Sequence, residues 1–397
     1  MSRPKWWQKP VLNTAEELHK HRKVTWLELF FDLFFVVTIG QLAHHLSSHL
    51  SWHALLDYTL HFIPVWWVWI GYTLYNERFE TSGVENRFFA FLIMIPTAGL
   101  AIYGHGGIEH EYTGYAISYA IARAIITFLW IWGCYHNKRA WRIGVRYAIG
   151  FTTSIILVVS SVFVDAPYKY FMFGAALLID LGTPLTTIKL TEHLPKFSTS
   201  KLPERFGLFT IIVLGESIIG VVGAVANDAD ITSRIIFSSI LGIAISFSMW
   251  WIYFYYVGRR PFGEKTFMTF LWSYLHMPLV MAIAMSGACL SNVINFSNES
   301  YLDPTQRILM AFSILAVMVF VSLIELTLRR DKNEPTKLLK STVLKIVTAV
   351  LIMVVGILGT TFSTIELLSV ILALMVINMI YGFLTWYGHD LENIESA

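Results

Sequence analysis

Long apolar runs separated by short polar segments recur along the whole chain. Runs of about twenty apolar residues are long enough to cross a bilayer as helices. Membrane-crossing strands would alternate between apolar and polar positions, whereas these runs are apolar throughout. The pattern predicts twelve helices, at residues 25–47, 53–75, 86–104, 113–136, 141–164, 167–189, 204–226, 232–257, 266–294, 304–328, 338–361 and 366–387. We therefore expect an all-α fold.

The composition of the chain agrees with a membrane location. Of its 397 residues, 55% are hydrophobic and 14% are charged, whereas soluble domains contain about 25% charged residues. The expected class is a polytopic membrane protein whose main partner is the lipid bilayer. The two cysteines, Cys134 and Cys289, lie in apolar segments without metal or redox spacing. We interpret both as buried small side chains.

The distribution of lysine and arginine predicts the orientation of the helices. With a cytoplasmic amino terminus, nearly all basic loop residues fall in inner segments, and the outer loops contain only Lys169, Arg234 and Arg307. This bias is the positive-inside pattern. It predicts a multi-pass protein of the cytoplasmic membrane with both termini inside. Residues 1–24 are basic and contain Trp6 and Trp7, which indicates an uncleaved cytoplasmic arm.

The two halves of the chain resemble each other. FFVVTIGQL in the first predicted helix aligns with FTIIVLGES in the seventh, which places Gln41 opposite Glu216. WWVWIGY and WWIYFYY correspond in helices 2 and 8, and MIPTAGLAIYG and HMPLVMAIAMSG in helices 3 and 9. Six helices per repeat would give both halves the same orientation in the membrane. The predicted regions are the arm 1–24, a first half 25–189, a linker 190–203, a second half 204–387 and a tail 388–397.

Two motifs resemble a known family. ELFFDLFFVVTIGQLAHHL near the amino terminus and LPERFGLFTIIVLGESIIGVV (Leu202–Val222) are similar to signatures of the bacterial low temperature requirement A proteins. The resemblance implies a multi-pass inner-membrane protein linked to growth in the cold. It implies no particular substrate, reaction or cofactor.

Charged residues inside the predicted helices suggest ion pairs near the inner membrane face. Glu28 and Asp32 share one face of the first helix because they are four residues apart. We predict that Asp32 pairs with Arg146 and that Lys345 pairs with Glu204, since pairing lowers the cost of burying each charge. The alternative is that these residues only hold helices together. In that case Glu28 and Glu204 reach back to the membrane interface.

Deeper polar residues are the candidates for a substrate or proton pathway. Glu216 lies near the middle of the seventh helix, opposite Gln41 of the repeat. Asp180 precedes Gly182 and Pro184, and we expect its helix to be interrupted there, as in helices that line cavities. Arg123 is the expected partner of either acid. The alternative is a fixed ion pair between Arg123 and one of the acids.

Histidines cluster near the first outer loops. His45 and His49 are four residues apart on one helix face, a spacing that suits a metal ion, and His105 could join them. The alternative, which we favour, is that they anchor helices at the interface through hydrogen bonds. The paired aromatic motifs WWVWIGY and WWIYFYY are typical of helix packing or an interfacial belt, with an aromatic substrate pocket as the second interpretation.

These features favour a secondary transporter of a small solute, coupled to protons. The chain has no Walker loop, GxSxG elbow or HExxH motif, so nothing indicates ATP-driven transport, a known hydrolase or a cofactor. Nothing indicates a nucleic-acid partner either, and the oligomeric state is left open. The alternatives are an intramembrane enzyme acting on lipid and a non-catalytic sensor or structural protein.

Overall fold

The described structure is all-α, as the sequence predicts. The computed structural model describes residues 6–13, 23–79, 81, 83–105, 111–226, 231–258, 260–263, 265–330 and 336–395. Within these residues the chain forms twelve long helices: α1 Trp26–Ser48, α2 Trp52–Phe79, α3 Val84–Gly104, α4 Tyr112–His136, α5 Trp141–Ser161, α6 Tyr168–Leu185, α7 Lys201–Ala226, α8 Ser233–Tyr253, α9 Thr266–Asn295, α10 Pro304–Glu325, α11 Leu338–Leu358 and α12 Thr364–Glu395. The single-turn helix Ile188–Thr191 lies between α6 and α7.

Eleven of these helices are long and apolar enough to cross a membrane; the exception among the described helices is α2. Tryptophan, tyrosine and histidine lower the hydropathy of α2, because each combines an apolar body with a polar atom. All twelve predicted spans nevertheless correspond to helices. The predicted interruption near Asp180 is wrong, since α6 is continuous through Asp180 and ends at Leu185, one residue after Pro184.

Local sequence explains several helix ends. Asp303 caps α10, because its carboxylate accepts a hydrogen bond from the Thr305 N–H at 2.8 Å. The Gln306 side-chain oxygen in turn accepts from the Asp303 N–H at 3.2 Å. Pro304 begins the helix, where its missing N–H costs nothing. Thr232 caps α8 through one bond, in which its hydroxyl oxygen accepts from the Ile235 N–H. These caps satisfy backbone groups that the first turn of a helix leaves without partners.

The chain divides into two compact units. The first contains Met1–Leu42 and Asp57–Arg205, and the second contains Ala43–Leu56 and Phe206–Ala397. In the first unit α3, α4, α5 and α6 pack in succession. In the second unit α9, α10, α11 and α12 pack in succession, and α8 packs against α12. The internal repeat and the region boundaries predicted from sequence remain predictions.

Candidate functional site

A cluster of four charged side chains joins α1 to the first turns of α7. The Arg205 guanidinium lies 2.9 Å from one oxygen of Asp32 and 3.2 Å from Glu28. The Lys201 ammonium lies 3.2 Å from the same Glu28 oxygen. Glu28 and Asp32 are four residues apart, as are Lys201 and Arg205. Each pair therefore projects from one face of its helix.

The cluster is buried, so each of its charged groups is stabilised by the opposite charges beside it and not by water. Asp32 is completely buried and Glu28 is 3% exposed. The Trp69 indole N–H donates a 2.7 Å hydrogen bond to Asp32, and the Thr25 N–H and hydroxyl donate to Glu28 at 2.9 and 3.0 Å. Two carboxylates face two basic groups, which gives a cluster without net charge. Such a fully bonded buried network fixes the position of its helices.

The partner predicted for Asp32 is wrong. Arg146 is exposed and donates a hydrogen bond to the backbone oxygen of Thr186, whereas Asp32 pairs with Arg205. Glu28 does not reach the interface, because it is buried in the same cluster. The missed partner, Arg205, directly follows Glu204 of the second motif, which was predicted to pair with Lys345 and is exposed.

A second buried ion pair joins α4 to α6. Arg123 donates from Nε and Nη2 to the two oxygens of Asp180, at 3.0 and 2.9 Å. The Tyr119 hydroxyl donates to the same carboxylate, and the guanidinium lies over the Phe151 ring at 4.3 Å. Asp180 is fully buried and Arg123 is 1% exposed. Of the two acids expected to partner Arg123, the structure thus brings Asp180 against it in a two-bonded fork.

The second unit contains a third ion cluster, centred on Glu325 at the end of α10. Lys345 on α11 lies 2.7 Å from one Glu325 oxygen, and Arg260 lies 2.9 Å from the other. Ser341 also donates to Glu325, at 3.1 Å. The predicted pairing of Lys345 with Glu204 is therefore wrong, since Lys345 pairs with Glu325. Glu325 was not predicted from the sequence, because it lies in the last turn of an otherwise apolar helix.

Glu216 differs from these acids. It lies within α7, is half-buried, and forms no hydrogen bond or ion pair with any residue that the structure describes. The adjacent Gly215 has open space at the position of a Cβ atom. Ser217 points the other way, into the packing with α9, where its hydroxyl donates to the Ile283 oxygen at 3.2 Å. Gln41, the counterpart of Glu216 in the proposed repeat, is exposed on α1.

The outer histidines do not form a complete metal site. The His45 and His49 rings lie near each other, with centroids 5.3 Å apart, and His105 is exposed. Across the described ranges, no three histidine, cysteine, aspartate or glutamate side chains are grouped so that they could hold a metal ion. Among the described residues, His45 and His49 thus have no third protein ligand of the kind that zinc usually takes.

Asp57 and His61 form a buried pair that the sequence analysis did not single out. The His61 Nδ1 atom lies 3.2 Å from the Asp57 carboxylate and 2.8 Å from the Asp57 backbone oxygen. Since both neighbours are acceptors, this nitrogen carries the hydrogen. The spacing of four residues on one helix was the available signal.

The aromatic motif of α2 packs inside the first unit. Trp66, Trp69 and Tyr72 are almost completely buried, and the Trp66 and Trp69 rings are 4.7 Å apart. The corresponding motif, at the end of α8 and in the turn Phe254–Gly258 that follows it, is mixed, because Trp250 is 38% exposed whereas Tyr256 is buried. The interpretation as helix packing therefore holds for the residues of α2, and an interfacial belt does not describe them.

Comparisons with known proteins identify a family and a relative with similar sequences. Residues 23–380 match the sequence model of a family described as bacterial low temperature requirement A protein (LtrA). An uncharacterized protein of Rhizobium meliloti (strain 1021) is 26% identical over 288 residues, which cover 67% of this chain and 68% of that protein. No solved structure matches the chain.

Proposed function

Because the chain belongs to the bacterial low temperature requirement A family, we propose that it is a cell-membrane protein that moves a small solute across the bilayer, with Glu216 binding the coupled proton. The eleven described helices that are long and apolar enough to cross a membrane support the membrane part of this proposal. At 1.5 Å per residue, Glu216 lies about 22 Å along α7 from its start at Lys201. Because the 26 residues of α7 span about 39 Å, longer than a bilayer core of about 30 Å, this position is near the middle of the helix.

The observation that carries the proposal is the missing countercharge of Glu216. Asp32, Asp180 and Glu325 each contact a basic side chain, whereas Glu216 contacts none among the described residues. An acidic side chain inside a membrane-spanning segment is costly unless a partner, a proton or water stabilises it. Glu216 can therefore exchange a proton or meet a cationic solute without breaking an existing ion pair.

Reconstituted protein tests the transport proposal. Proteoliposomes that contain the protein should take up a solute from a screened set, or protons, faster than empty liposomes. Glu216→Gln should abolish proton dependence while the folded amount stays unchanged. Glu204→Gln is the matched control, because it removes an exposed carboxylate from the same helix. Equal rates for the protein, for Glu216→Gln and for empty liposomes across the screen would refute the proposal.

The proposed orientation places both termini in the cytoplasm, supported by the excess of lysine and arginine in alternate loops. Both cysteines, Cys134 and Cys289, are buried, so they should react slowly with impermeant maleimides. A single cysteine introduced at an exposed position near Lys169 should then label in intact cells, and one near Lys340 should label only after the membrane is permeabilised. Labelling of both from outside would contradict the orientation.

A structural role is the second candidate, favoured by the neutralised ion clusters that tie helices within each unit. In that case Glu216→Gln leaves flux and growth in the cold unchanged. Asp32→Asn and Asp180→Asn would then reduce growth only in proportion to the loss of folded protein. Comparing growth at low temperature with the folded amount of each variant separates the two candidates.

A further inference from the structure

Arg146 lacks the acidic partner that the sequence predicted for it. It is exposed on α5, and its guanidinium donates a hydrogen bond to the backbone oxygen of Thr186 at the end of α6. No carboxylate that the structure describes forms an ion pair with it. A guanidinium has five N–H donors in a planar fork. Most of the Arg146 donors therefore have no protein partner among the described residues.

The depth of Arg146 makes its charge costly. The segment Lys138–Ser161 is long and apolar enough to cross a membrane, and α5 begins at Trp141. Arg146 follows Trp141 by five residues, which is about 7.5 Å along the helix axis. An arginine exposed to hydrocarbon is unfavourable unless its charge meets a polar or negative group. The Thr186 oxygen is neutral, so an anion at the membrane interface would supply the missing countercharge.

Further basic residues lie at the same end of α5. They come from the turn before α5, from its first helical turn, and from the single-turn helix Ile188–Thr191, which packs against α5. All four are exposed: Lys138, Arg139, Arg142 and Lys189. Arg142 and Arg146 are four residues apart, so they project from one face of the helix. Two guanidinium groups on one face can hold a phosphate together.

Few acidic residues oppose these charges. Between residues 112 and 191 the sequence contains two, Asp165 and Asp180. Asp180 is buried in the fork with Arg123, and Asp165 lies beyond the opposite end of α5. Glu192 is exposed and forms no ion pair with any described residue. The start of α5 therefore has an excess of positive charge, which attracts an anion.

The face of α5 that presents Arg146 continues as an apolar surface. Val145, Ile149 and Ile156 lie on this face and are exposed, Ile149 by 66%. Their helical spacing from Arg146 places them in a row that leads away from the basic end. A soluble anion would contact the basic residues alone. A phospholipid would also cover the apolar row with an acyl chain, so the combined surface favours a lipid.

We propose that the start of α5 binds an anionic phospholipid, with Arg142 and Arg146 holding its phosphate and an acyl chain lying along Ile149. The exposed rings of Trp141 and Tyr135, 6.2 Å apart, lie at the same end of the helix, as aromatic side chains do at the headgroup level. The proposal requires that α5 crosses a membrane. It depends neither on the direction of crossing, since headgroups border both faces, nor on the transport proposed above.

Native mass spectrometry of the full-length protein, titrated in a neutral detergent with phosphatidylglycerol or phosphatidylcholine, tests the proposal. Phosphatidylglycerol should bind severalfold more tightly, because its headgroup has a net negative charge. Arg142→Gln and Arg146→Gln should each weaken phosphatidylglycerol binding by about fivefold, the effect of one basic residue near an anionic lipid, and should change phosphatidylcholine binding much less. Arg234→Gln is the matched control, since it removes an exposed arginine at the start of α8, and it should leave the lipid preference unchanged.

Arg142→Gln separates lipid binding from a structural role. Arg146 also bonds the end of α6 through Thr186, so its loss lowers stability, whereas Arg142 bonds no described residue and its loss should leave the fold unchanged. Inorganic phosphate in large excess should not displace phosphatidylglycerol, because it has no acyl chain. Equal binding of the two lipids by the unmodified protein would overturn the proposal, as would displacement by inorganic phosphate. An unchanged preference in folded Arg142→Gln, or an equal loss in Arg234→Gln, would also overturn it.

Discussion

Replacing Arg205 by methionine should destabilise the fold more than replacing any other member of the α1–α7 cluster. Arg205 bonds Asp32 at 2.9 and 3.4 Å and Glu28 at 3.2 Å. Without it, Lys201 still lies 3.2 Å from Glu28, but Asp32 keeps only the Trp69 N–H among the bonds described for it. Removing one partner of a buried ion pair costs about 3–5 kcal/mol, and we expect a loss in that range.

Asp32→Asn should cost less, about 2 kcal/mol, because Arg205 keeps Glu28 as its partner and only charge-assisted bonds are lost. The double variant Asp32→Asn/Arg205→Met restores a cluster without net charge. It should therefore be more stable than Arg205→Met alone, with a coupling energy of about 1–3 kcal/mol. Unfolding by sodium dodecyl sulfate in mixed micelles, followed by tryptophan fluorescence, measures all three variants. Simple additivity of the two single losses would refute the assigned pairing.

Two other substitutions test helix contacts by the same unfolding assay. Arg123→Lys keeps the charge but loses the two-bonded fork to Asp180, so we expect a loss of about 1–2 kcal/mol; wild-type stability would contradict the fork. Gly287→Ala should cost about 1–3 kcal/mol, because its Cβ would lie 2.6 Å from the Ser217 hydroxyl and 2.7 Å from the Ser217 Cα. Gly174→Ala is the control, since its Cβ would meet nothing within 4 Å, and equal losses at the two glycines would contradict the close α7–α9 packing.

The helices could be predicted from the sequence because a bilayer imposes a length and an apolar surface on every crossing segment. The predicted segments 113–136 and 266–294 correspond to Tyr112–His136 and Thr266–Asn295. The largest differences occur where polar residues continue a helix beyond the lipid. The last helix was predicted to end at residue 387 and ends at Glu395, because hydropathy reports the apolar span and not the end of the hydrogen-bonded turns.

The ion pairs were harder to predict, since depth in the membrane leaves several basic residues as equivalent partners. The seventh helix was predicted to begin at residue 204 but begins at Lys201. This shift of three residues moves Arg205 from the second residue of the helix to its second turn. Adjacent helical residues point about 100° apart, which is why Arg205 is buried and Glu204 is exposed. Two basic residues four apart, facing two acids four apart, were the sequence signal for the cluster.

Buried acids in this protein differ in what their environment allows them to do. Asp32 and Asp180 are held by arginine forks, and separating such a pair leaves an uncompensated charge in a buried site. Their substitution should therefore change the amount of folded protein before it changes any flux. Glu216 lacks a basic partner among the described residues, so the free energy of its carboxylate depends on what binds to it. A proton at Glu216 would supply the missing positive charge, and this is the position where substitution at constant folded protein should alter function.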